Sequence, residues 1–70
     1  MFYQINATVV ETTANGSIVT QIPTFLLKAN VQGIVSESHA EKIAKTVINP
    51  TNDKNKVVHA YASVFSSHTD

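Results

Sequence analysis

The chain lacks the residues on which several classes of small protein depend. Its 70 residues contain no cysteine and no arginine, and only two glycines. The absence of cysteine excludes disulfide crosslinks, thiolate zinc sites and cysteine nucleophiles. Gly16 and Gly33 are too far apart to form a glycine-rich phosphate-binding loop. The chain therefore cannot use disulfides or thiolate zinc sites for stability, nor a cysteine nucleophile or a glycine-rich phosphate loop for catalysis.

Charge is also scarce and balanced. Five lysines offset five carboxylates, and charged residues make up 14% of the chain. A protein that tracks nucleic-acid phosphates normally carries a basic surplus, so this composition disfavours a nucleic-acid partner. Apolar residues reach 43%, which is typical of a globular chain rather than a disordered one.

No segment resembles a targeting or membrane sequence. The N-terminal residues 1–4 have neither the basic start nor the apolar run of a signal peptide, and no apolar run approaches the ~20 residues of a membrane span. We therefore expect a soluble, cytoplasmic protein without a membrane partner. Residues 1–65 should form one α+β domain, and residues 66–70 a frayed tail.

Hydrophobic periodicity predicts a hairpin in the first half of the chain. Apolar residues alternate with polar ones over residues 2–12, which indicates a strand with one buried face. Asn15-Gly16 then predicts a type I′ turn into a second strand at 17–28. Apolar residues occur at both the odd and the even positions of that strand, so the pattern does not show which of its faces is buried. Pro23 cannot donate a ladder hydrogen bond, which places this strand at a sheet edge or requires a bulge.

The second half predicts a turn, a helix and a third strand. The turn falls at residues 30–33, and the helix at 37–48 has Ser36 or Ser38 as its cap and ends before Pro50. A third strand follows at 57–65. The residues predicted to be buried are Ile5, Val9, Ile43, Val47, Ala60 and Ala62, and those predicted to be exposed are Glu41, Lys42 and Lys45.

The resulting β-β-α-β order predicts a three-stranded, mainly antiparallel sheet with strand order 2-1-3 and one helix packed on one face. A right-handed crossover brings the third strand back beside the first. This topology resembles a truncated ferredoxin-like split βαβ unit. The resemblance concerns topology and transfers no function.

The titratable residues do not form a recognisable reactive site. His39, His59 and His68 fall on the helix, on the third strand and in the tail, a distribution without metal-ligand spacing. His39 could act with Glu37 or Glu41, although a surface role is the commoner one for such a group. No serine nucleophile motif is present. We therefore predict no catalytic residues, no metal site and no cofactor, and lean against an enzyme.

The predicted sheet face away from the helix is the best candidate for function. If Ala60 and Ala62 face the helix, the outward side chains are polar, aromatic and uncharged. The candidate ligand-binding or interface residues are Asn6, His59, Tyr61, Ser63 and Phe65. Such a surface fits a dimer interface or a ligand platform, although it could also be a simply solvated face.

Three hypotheses about function remain open at this point. The favoured one is a small non-catalytic interaction or assembly module whose partner is a second copy of itself, as a homodimer or higher oligomer. A single core of this size rarely supplies more than ~3–5 kcal/mol, so added burial would help. The alternative is a small-molecule-binding or catalytic domain with an interface pocket at His59 and Tyr61. A nucleic-acid accessory protein ranks third.

Overall fold

The computed structural model describes residues 1–65, and the predicted tail with His68 lies outside the described residues. The elements are β1 (Phe2–Thr13), β2 (Gly16–Lys28), α1 (Ala29–Gln32), α2 (Glu37–Ile48) and β3 (Lys56–Phe65). The three predicted strands and the predicted helix are confirmed. Within residues 1–65, neither helix has the length and apolar character needed to cross a bilayer.

The sheet has the predicted order β2-β1-β3, with both neighbours antiparallel to β1. The central strand pairs along almost its whole length, from Phe2 opposite Lys28 and Phe65 to Glu11 opposite Ile18 and Lys56. Because α2 connects β2 to β3, the two outer strands run parallel on either side of β1. Pro23 lies on the edge strand, as predicted from its missing N–H.

The hairpin turn differs from the predicted type I′ turn. Ala14 and Asn15 form the turn, and Gly16 follows with φ +123°. Asn15 does not have positive φ, so only the glycine takes the conformation that L side chains avoid. The Thr13 hydroxyl donates to the Gly16 carbonyl and accepts from the Asn15 N–H. The hairpin prediction is therefore confirmed, whereas the turn type was wrong.

The connection from β2 to α2 contains one turn of helix rather than a simple turn. Gly33 ends α1 in the left-handed region at φ +66°, where its N–H donates to the Ala29 carbonyl. Ser36, not Ser38, is the N-cap of α2, and its Oγ accepts from the His39 N–H at 3.1 Å. Asn49 ends α2 before Pro50, as predicted.

The core lies between α2 and the sheet and is rich in alanine. Ile5 is fully buried, and Ala60 is buried as predicted, whereas Val9, Ile43 and Ala62 are only half-buried. The full buried set is Tyr3, Ile5, Ala7, Leu27, Ile34, Ala40, Ala44, Val58 and Ala60. Four of these nine residues are alanines, which allow α2 to approach the sheet closely.

Two predictions about α2 were wrong. Val47 is 54% exposed because α2 packs mainly on β3 and less on β1, so the flank carrying Val47 faces a groove instead of the sheet. Glu41 is half-buried rather than exposed, and its Oε2 accepts from the Ala62 N–H at 3.1 Å. A helical repeat identifies a face, but the position of the helix over the sheet decides which flank is covered.

Candidate functional site: the open face of the sheet

The sheet face opposite α2 carries all five candidate residues, and we call it the open face. Register brings Asn6 opposite Tyr61 and places Ser63 and Phe65 further along the same face of β3. His59 lies opposite Thr8. The open face includes Phe2, Gln4, Asn6, Thr8 and Val10 from β1, Val19, Gln21, Thr24, Leu26 and Lys28 from β2, and Val57, His59, Tyr61, Ser63 and Phe65 from β3.

The middle of the open face is a polar band. The Thr24 hydroxyl donates to Asn6 Oδ1 at 2.9 Å and so ties β2 to β1 across the face. Thr8 and Gln21 lie opposite each other in the next row, with His59 on the other side of Thr8. These side chains are uncharged when histidine is neutral, so they can approach a partner without the desolvation cost of a formal charge.

Apolar side chains occupy both ends of the open face. At one end Phe2 lies opposite Phe65, with Leu26 nearby. At the other end Val10 lies between Val19 and Val57, which are exposed. Tyr61 is 66% exposed between the polar band and the aromatic end. Exposed apolar and aromatic groups at this density mark interaction surfaces more often than solvated ones.

Sequence reasoning missed the contribution of β2 because a bulge changes its parity. Register shifts between the pair Ile5–Phe25 and the pair Ala7–Ile22, so Pro23 and Thr24 together oppose Asn6. Before the bulge, the even-numbered side chains of β2 lie on the face that α2 covers. After the bulge, the odd-numbered side chains lie on that face. Leu26 therefore reaches the open face although Ile22 does not. Pro23 was the available signal, since prolines within strands are confined to edges and bulges.

The two sheet edges are not equivalent. Along β3, Glu41 of α2 reaches the outer edge and its carboxylate accepts from the Ala62 N–H. α2 also packs more closely on β3 than on any other strand. Along β2, only Ile22, Phe25 and Leu27 are shielded from solvent, and the remaining residues are exposed. One edge is thus covered by the fold, whereas the other is open.

The titratable side chains of residues 1–65 lie apart from one another or make structural contacts. Among the described residues no three His, Asp or Glu side chains come close enough to share a metal ion. His39 Nδ1 accepts from the Val35 N–H at 3.3 Å, and Glu41 faces β3, so the pair considered for acid–base work is divided between two structural roles.

Three concavities lie on the helix side, and one of them runs between α2 and β2 with Val9, Ile22 and Ile48 in its lining. The linings of these three concavities include neither His59 nor Tyr61. The chain matches no known family model, no curated protein and no solved structure. The open face and the open edge of β2 are therefore the features from which a function can be inferred.

Proposed function

We propose that the protein is a small non-catalytic assembly module that binds further copies of itself through its sheet. The observation that carries this proposal is the uncovered sheet, whose open face has exposed Val19, Leu26 and Tyr61 and, among the described residues, one charged side chain, Lys28, and whose β2 edge is open. The topology is consistent with a ferredoxin-like split βαβ unit in which one helix leaves half of the sheet surface without cover. A second copy buries part of this sheet, at the open face or at the open edge of β2.

The size of the core supports association. Ile5 is the only large side chain that is fully buried within residues 1–65, and four of the other buried residues are alanines. Each Å² of apolar surface removed from water contributes about 25 cal/mol, so the four alanines contribute less than larger side chains would at their positions. Burial of exposed side chains between two copies adds to what the monomer core supplies.

The charge pattern favours a second copy over a differently charged partner. The ten residues of β3 carry one charge, Lys56 at the start of the strand, and β2 carries one, Lys28 at its end. A two-fold contact brings identical surfaces together, so a surface of one charge sign would repel itself. The open face has little of that repulsion, because Lys28 at one end is its only charged side chain within residues 1–65.

The alternative function, a ligand-binding or catalytic pocket with His59 and Tyr61, also places its pocket between subunits. It therefore depends on the same association. A pocket requires concavity, and both residues lie on a sheet face with exposed side chains. We accordingly rank it below the assembly module.

Sedimentation equilibrium or light scattering over about two orders of magnitude in concentration tests the proposal. The expected result is a mass that rises from monomer to dimer or higher at micromolar concentration. Val19→Lys, at a side chain that is 67% exposed on the sheet, should weaken association. The matched control is Val35→Lys, at a side chain that is 84% exposed in the connection before α2, which should associate normally. A strictly monomeric mass throughout the series would overturn the proposal, as would equal effects of the two lysines.

A further inference from the structure

We propose that two copies join edge to edge, with β2 of one copy paired antiparallel to β2 of the other about a two-fold axis. The two three-stranded sheets then form one continuous six-stranded sheet. This inference rests on the proposed self-association and specifies its interface. It follows from the difference between the two edges of the sheet.

The edge of β3 is unsuited to pairing. The Ala62 N–H already donates to Glu41 Oε2, so this edge donor has a partner within the chain. The same contact holds the Glu41 carboxylate at the outer edge of β3, where it would oppose the carbonyl groups of an incoming strand. Natural proteins commonly protect sheet edges with charged side chains and with covering helices. β3 has both forms of protection.

The hydrogen bonds of the sheet reveal which groups β2 presents outward. In an antiparallel ladder, successive residues direct their N–H and C=O groups to alternate sides. The Ala29 N–H donates to the Met1 carbonyl, and the Thr12 N–H donates to the Asn55 carbonyl. The backbone N–H and C=O groups of odd-numbered β1 residues are therefore directed toward β2, and those of even-numbered residues toward β3. Ile18 and Thr20 of β2 lie opposite odd-numbered β1 residues, so their backbone N–H and C=O groups are directed toward β1.

The odd-numbered residues in the first part of β2 direct their backbone groups away from β1, toward the outer edge of the sheet. Ser17, Val19 and Gln21 direct their N–H and C=O groups to the open edge, and all three residues are exposed. No charged residue occurs between Gly16 and Leu27, and every residue from 17 to 21 is exposed. An edge of this length without lysine, bulge or cover over residues 17–21 is a template for another strand.

Pro23 determines the register of the pair. Proline has no N–H to donate, so productive pairing must end before residue 23. With Val19 on the two-fold axis, it faces the partner's Val19, and Ser17 faces the partner's Gln21. Each of these residues then exchanges both backbone hydrogen bonds. A register centred on Thr20 would instead place Ser17 opposite the partner's Pro23 and lose donors.

A second copy fits this edge better than an unrelated peptide does. The segment 17–21 pairs with itself residue for residue, and Val19 meets an identical β-branched side chain across the axis. The pairing also joins the two open faces into one surface, in which the apolar ends at Val19 become adjacent. Edge pairing therefore enlarges the open face and leaves it exposed.

Amide hydrogen exchange, measured residue by residue by NMR on the whole chain at dilute and concentrated conditions, tests the inference. The amides of Ser17, Val19 and Gln21 should slow by about tenfold or more once most chains are associated, because exchange then requires dissociation. The amides of Ile18 and Thr20, which face β1, serve as internal controls and should be protected at both concentrations.

The outcomes separate the two proposals. A mass that remains monomeric refutes self-association itself. A mass that rises while the Val19 amide keeps the same exchange rate refutes edge pairing and places the interface elsewhere, such as the open face.

Substitutions give an independent test of the same interface. Val19→Pro removes a donor that β1 does not use, so it should weaken association by about ten- to hundredfold, as expected for two lost hydrogen bonds at the axis. Val19→Ala keeps the N–H and should weaken association less. Tyr61→Lys should leave association within about twofold, since Tyr61 lies on β3. Loss of association in Tyr61→Lys and its retention in Val19→Pro would overturn the inference. Should Val19→Pro unfold the chain, amide exchange alone decides.

Discussion

Removal of one methyl group from Ile5 tests whether the core lies where the structure places it. Ile5 is 0% exposed at the centre of β1, between Phe25 and Ala62. Ile→Val in a well-packed core typically costs about 0.5–1.5 kcal/mol. In a domain of this size each kcal/mol lowers the melting temperature by about 4–8 °C. We expect Ile5→Val to remain folded and to melt measurably earlier, since the whole domain holds only ~3–5 kcal/mol.

The matched control is Ile18→Val in the same sheet. Ile18 is 53% exposed on β2, so the same chemical change should cost less than about 0.5 kcal/mol. Both variants exchange one β-branched residue for another, and the difference between them therefore isolates burial from strand propensity. Thermal unfolding followed by far-ultraviolet circular dichroism, at a dilution where the mass is monomeric, measures both. Equal shifts, or a larger shift for Ile18→Val, would refute the assignment of the core.

Two further predictions concern α2. Ser36→Ala removes the acceptor of the His39 N–H and should cost about 1 kcal/mol in thermal unfolding, whereas Ser38→Ala should cost little; equal losses would contradict Ser36 as the cap. Glu41→Ala should speed exchange of the Ala62 amide and lower stability by about 0.5–1.5 kcal/mol, with Glu41→Gln retaining much of the protection through its side-chain oxygen. An unchanged Ala62 exchange rate in Glu41→Ala would refute the edge contact.

Local patterns were sufficient to predict the three strands, α2 and their order, whereas the single turn of α1 was predicted as a simple turn. A strand or helix with one buried face repeats its apolar residues at the period of that element, and this repeat survives in β1, α2 and β3. Pro23 also indicated the sheet order in part, because its missing N–H places β2 at an edge or requires a bulge, and β2 has both. The five candidate residues on the open face followed from the parity of β1 and β3.

The facing of β2 could not be read in the same way. Apolar residues occur at both its odd and its even positions, so periodicity does not indicate which face of the strand is buried. The bulge at Pro23 and Thr24 then exchanges the parity halfway along the strand. Leu26 and Ile22 share a parity in the sequence but lie on opposite faces of the sheet. A bulge is defined by the partner strand, and the sequence of β2 alone does not contain that partner.

The sequence by itself determined where strands and the helix form, since those depend on periodicity, on proline and on capping residues that act over a few positions. Only the tertiary structure decided that α2 lies over β3 and β1, which exposes Val47 and brings Glu41 to the Ala62 N–H. That placement also leaves the edge of β2 open while it protects the edge of β3. Contacts of this kind join residues far apart in the chain. Several positions of the helix over the sheet agree with the local sequence pattern, and side-chain packing in three dimensions selects one of them.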